Sequence, residues 1–91
     1  MSSTQDSVEV FAVAIAQLPL DSLHAERARL ENSVEHLLRS NSEIQAFIDS
    51  DEVESAEEQK EFEGVIKENE EILEQQKLRI EMVKSEISQR S

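Results

Sequence analysis

The stretch LHAERARLENSVEHLLRSNSEIQAFI, residues 23–48, decides the fold. Leu23, Leu30, Leu37 and Ile44 recur every seven residues, and Arg27, Val34, Asn41 and Ile48 recur every seven between them. Apolar positions spaced alternately by three and four residues make one stripe down a helix. A stripe held to a seven-residue repeat is a coiled-coil seam, here with the first set at d and the second at a. Downstream, FEGVIKENEEILEQQKLRIEMVKSEI, residues 62–87, repeats the pattern. Ile66, Leu73, Ile80 and Ile87 take a, and Phe62, Asn69, Gln76 and Val83 take d. Between the two, residues 49–56 are acidic, contain two serines and lose the spacing, so they are the expected turn.

The numbering tests whether the two stretches pair as a hairpin. In an antiparallel seam the paired residue numbers sum to a constant, and 110 centres the turn on Ser55. Ile48 then faces Phe62, Ile44 faces Ile66, Leu37 faces Leu73, Leu30 faces Ile80 and Leu23 faces Ile87. The polar exceptions meet as well, Asn41 opposite Asn69. Two buried amides can bond each other across a seam, whereas one alone costs about 1–3 kcal/mol. A rung built this way sets register and direction. Val34 opposite Gln76 and Arg27 opposite Val83 are weaker layers, with Arg27 expected to snorkel outward. Glu31 falls opposite Lys77 on the flank.

Working outward, residues 1–6 read as a disordered polar tail and 7–18 as a short amphipathic helix. Val8, Phe11, Ile15 and Leu18 make its stripe. Pro19 closes it, because proline disfavours helix at the residue before it. Asp21 or Ser22 is the expected cap of the next helix. The expected fold class is all-α: an antiparallel two-helix coiled-coil hairpin over 22–89, preceded by that short helix.

Composition excludes most alternatives. In 91 residues there is one Gly and one Pro, too few for the turns of a β or α/β domain. Without cysteine there is no disulfide, thiolate nucleophile or zinc knuckle. The net charge of −12 argues against nucleic acid. Residues 8–20 are the most apolar run but are interrupted and too short to span a bilayer. No Lys or Arg precedes Arg27, so the basic start of a signal peptide is lacking and the expected location is intracellular. His24 and His36 stand 12 residues apart without companion ligands. No catalytic triad, phosphate loop or calcium loop is visible, so no enzyme, metal or cofactor is expected.

Five fully apolar layers are thin support for two long helices, so something more should pack on the hairpin. The g positions mark where. Phe47 neighbours Val65, Ser40 neighbours Ile72 and Ser33 neighbours Arg79, a groove with apolar content toward the tip and small residues that allow close approach. The e flank (Glu31, Leu38, Gln45, Glu63, Glu70, Lys77) is mostly polar. The short first helix can fill the base of the groove but is too short to reach the tip, which leaves room for a partner helix. Leu78 and Met82 form a second apolar pair facing away from the seam. Residues 43–74 carry 13 acidic side chains and two lysines, a net of −11, a solvated tip or a lure for a basic partner.

LENSVEHLLRSN (30–41), IKENEEIL (66–73) and RI (79–80) together resemble a family of small fungal chaperones, the ATPase-dedicated chaperones of proteasome assembly, also called translation-machinery-associated proteins. VFAVAI (10–15) with Leu20 and Leu23 matches the opening helix of that family more loosely. The resemblance implies a non-catalytic factor that binds the N-terminal coiled coil of a proteasomal ATPase subunit. It implies that the factor favours ATPase pairing in the regulatory-particle base, in the cytoplasm or nucleus. The family often has a longer C-terminal tail than the five residues after Glu86. Mapped onto the heptad, Leu30, Leu37 and Asn41 are seam positions, while Asn32, His36 and Arg39 lie on the outer face. The expected partner-binding set is therefore Asn32, Ser33, His36, Arg39, Ser40, Phe47, Val65, Ile72 and Arg79, with Asn41 and Asn69 setting register. The alternative is a structural coiled-coil subunit that forms a homodimer or joins a prefoldin-like or tethering complex.

Overall fold

Three helices account for the chain in a computed structural model that describes residues 4–90, with side chains from Ser7 onward. They are α1 (Thr4–Ala16), α2 (Leu20–Asp49) and α3 (Ala56–Arg90). No strand occurs among the described residues. The α2 and α3 helices pack side by side as a hairpin, and α1 lies on α3 at the end away from the turn. The whole extends 52 × 30 × 14 Å, the long dimension matching one 35-residue helix at 1.5 Å per residue.

The seam follows the heptads. Every a and d position, from Leu23 to Ile48 and from Phe62 to Ile87, is buried or half-buried. The amide rung fixes the alignment: Asn69 Nδ2 donates to Asn41 Oδ1 at 2.8 Å, and Asn41 Nδ2 donates to the Ile66 carbonyl at 3.3 Å. The expected register thus holds at its most informative layer. Val34 and Gln76 are half-buried, and Gln76 Oε1 is buried without a hydrogen-bond partner. Arg27 reaches out of the seam, but Glu31 bonds to it at 3.2 Å along the same helix. The pairing of Glu31 with Lys77 expected from the flank does not form, because Arg27 one turn away offers a shorter reach.

Helix ends differ from expectation by a few residues, each for a local reason. Helix α1 begins at Thr4, so residues 4–6 of the expected tail are helical, and residues 1–3 lie outside the described residues. It closes at Ala16, with Gln17 N–H bonded to the Ala14 carbonyl and Leu18 N–H to that of Ile15, each at 3.2 Å. Helix α2 is capped by Pro19, in extended conformation, rather than by Asp21 or Ser22. Proline needs no donor there, and its carbonyl accepts the Leu23 N–H at 3.1 Å. Asp21 instead sits in the first turn, where its charge complements the helix dipole.

The connection is shorter than residues 49–56 and fully capped. Ser50 closes α2, its N–H on the Ala46 carbonyl at 3.0 Å and its Oγ donating to the Phe47 carbonyl at 2.7 Å. Asp51 follows with φ 67°, the left-handed position that usually ends a helix with Gly or Asn. Ser55 starts α3: its Oγ accepts the Glu58 N–H at 3.1 Å, while the Glu58 carboxylate accepts the Glu54 N–H at 3.1 Å. This is the reciprocal logic of a capping box, shifted back by one residue.

Candidate functional site

Helix α1 packs on the base of the g flank. Ile15 of α1 is buried with Leu23, Leu30 and Val83, and Phe11, Leu18, Ile80, Met82 and Ile87 pack around them. The expected α1 stripe of Val8, Phe11, Ile15 and Leu18 is the one that turns inward. Helix α1 runs in the same direction as α3, because its start lies by Arg79 and its end by Arg90. Arg79 donates to Ser7 Oγ at 3.0 Å and sets its guanidinium 4.9 Å from the centre of the Phe11 ring. Arg90 donates to the Ile15 carbonyl at 3.1 Å and the Ala16 carbonyl at 2.9 Å, and also bonds the Leu18 carbonyl. Glu86 steadies Arg90 at 3.0 Å. Those carbonyls lie at and just after the C-terminal end of α1, where acceptors run short of intrahelical donors, and a cation there also complements the helix dipole.

The expected partner residues therefore divide. Arg79 belongs to the α1 interface, since Phe11 and Ser7 of its own chain already occupy it. Nearby, the hydrogen bonds from Arg29 hold the Glu26 carboxyl below the usual carboxylate range, although its burial opposes this; the charge of Arg29 and then that of Arg79 add to the lowering. Met82 also goes under α1, which splits it from Leu78, which stays exposed.

Beyond Arg79 the flank is open. Ser33 and Ser40 are half-buried, and Val65 and Ile72 remain 42% and 41% exposed. Phe47 is half-buried, its ring edge-on to Phe62 with centroids 5.4 Å apart, so it braces the tip as well as lining the groove. A shallow depression bordered by Ser40, Glu43, Ile44, Phe47 and Phe62 lies at this end. Asn32, His36 and Arg39 stand exposed on the outer face of α2. Asn41 and Asn69 form the rung described above and do not reach the surface set.

Among the described residues, no three His, Cys, Asp or Glu side chains converge closely enough to hold a metal ion. No described helix is long and apolar enough to cross a membrane. What the arrangement offers is an elongated surface with an apolar strip, suited to packing against another helix.

The profile of the TMA17 helical domain matches residues 7–91, which takes in all of the hairpin and most of α1. The chain belongs to the TMA17 helical domain family. TMA17 is the family of ATPase-dedicated proteasome assembly chaperones, so the resemblance carried by residues 30–41 and 66–80 extends over nearly the whole chain. No curated protein and no solved structure matches the chain. For a TMA17 domain, the contacts least visible in sequence are those of Arg90, whose acceptors lie 72 to 75 positions away.

Proposed function

We propose that this TMA17-family protein is a non-catalytic assembly chaperone that captures the N-terminal coiled coil of a proteasomal ATPase subunit. Its docking surface is the part of the g flank that α1 leaves uncovered, together with Asn32, His36 and Arg39 on the outer face. The observation that carries this reading is the exposure of Val65 and Ile72 beyond the start of α1, on a family background of proteasome assembly. An unpaired ATPase helix has an apolar seam that would otherwise be open to aggregation, and the strip on α3 can cover it while small Ser33 and Ser40 allow close approach. Because the strip is narrow and its surroundings are charged, the complex holds loosely enough to give way to the neighbouring ATPase, which favours ATPase pairing in the regulatory-particle base. The site of action is the cytoplasm or the nucleus.

The test is capture of ATPase N-terminal fragments by the full chain. Val65→Glu with Ile72→Glu abolishes capture and leaves helicity unchanged, since both side chains lie outside the seam; Leu38→Glu, on the e flank, leaves capture intact. Equal capture by the folded double variant overturns the reading. A homodimer that buries Val65 and Ile72, seen by sedimentation of the isolated chain, favours a structural coiled-coil subunit instead.

A further inference from the structure

The seat of α1 and the charges around the open flank together specify the helix that docks there, granted the functional reading above. Helix α1 shows what this groove accepts: a helix parallel to α3 that lays Ser7, Phe11 and Ile15, four residues apart, against Arg79 and the core beneath. Past Arg79 the same flank carries Ile72 and Val65, both exposed. Its rim there is acidic, with Glu43 on α2 and Glu58, Glu61 and Glu68 on α3 at the g and c positions. Lys60 and Lys67 both take b positions, on the other side of α3, so they do not neutralise the rim.

We infer that the occupant is a basic amphipathic helix that runs parallel to α3, its N-terminal end toward the hairpin turn and its C-terminal end meeting the start of α1. Charge complementarity selects Lys or Arg flanking its apolar stripe. The direction follows from dipoles: the positive N-terminal end of the helix faces the acidic turn around Asp49, Asp51, Glu52 and Glu54, and its negative C-terminal end abuts the positive end of α1. In the opposite direction two like ends would meet at Thr4, and the helix would point its negative end at the acidic turn.

The chain has no cysteine, so single labels can be placed without further changes. Ala46→Cys near the turn and Ala25→Cys near the base are both exposed and outside the seam. Each is labelled in the full chain and mixed with ATPase N-terminal coiled-coil fragments that carry an acceptor at their N-terminal end. Energy transfer is expected to be strong from position 46 and weak from position 25. In addition, the combined Glu43→Gln, Glu61→Gln and Glu68→Gln variant is expected to bind about tenfold more weakly at low salt and to lose most of the salt dependence. Transfer in the reverse order, or binding indifferent to the three substitutions, overturns this inference and leaves the chaperone reading standing. Absence of binding by every fragment overturns both.

Discussion

Asn41 and Asn69 are the two side chains on which the alignment of the hairpin depends. Each satisfies the other inside a seam that is otherwise largely aliphatic, with the second amide hydrogen bond going to the Ile66 carbonyl. Asn69→Ala is expected to lower stability by about 1–3 kcal/mol in urea unfolding, because it leaves a half-buried Asn41 without its partner. Replacing both with Leu should recover the loss, but sedimentation should then reveal additional oligomers, since an all-apolar seam no longer selects one alignment. Gln76 is the opposite case. Its Oε1 is buried and unpaired beside Val34, so Gln76→Leu is expected to raise the urea midpoint, by about 1 kcal/mol in stability. Asp51 holds a left-handed conformation, and Asp51→Gly should also stabilise, whereas Ser55→Ala removes the cap of α3 and should cost about 1 kcal/mol.

At the scale of elements, α1 is held by its buried Ile15 stripe and by an arginine near each end. Arg79 grips its first half through Phe11 and Ser7, and Arg90 closes its last turn. Arg90→Ala is expected to speed amide exchange in α1 severalfold while α2 and α3 exchange as before, because the Ile15, Ala16 and Leu18 carbonyls at the end of α1 lose a donor. Equal acceleration across all three helices would mean that α1 is integral to the hairpin rather than appended to it. This also explains what sequence reading could reach. The heptads, the Asn41–Asn69 rung and the inward stripe of α1 are periodic features, so spacing alone reveals them. The start of α2 at Leu20 was not legible, because a proline serves as cap only once the preceding turn is folded. Nor were the roles of Arg79 and Arg90: a lone arginine on a helix surface does not announce a partner more than seventy residues away. Arg79 consequently read as partner-facing when α1 takes it.

The whole molecule is an elongated hairpin with α1 over its base and Ile72 and Val65 exposed toward its tip. Helix α1 starts at Thr4, three residues before the Ser7 that Arg79 holds, and Ile72 and Val65 lie exposed farther toward an acidic turn. Its outer side keeps Val10 and Val13 exposed, and Leu38 stands exposed on the opposite flank, so the molecule has other apolar spots against which the proposed surface can be judged. The deciding measurement is methyl NMR of the full chain titrated with an ATPase N-terminal coiled-coil fragment. Methyl signals of Val65 and Ile72 should shift on binding while those of Leu38, Val10 and Val13 stay in place. Shifts at Leu38 or at Val10 and Val13, with Val65 and Ile72 unmoved, would contradict the account.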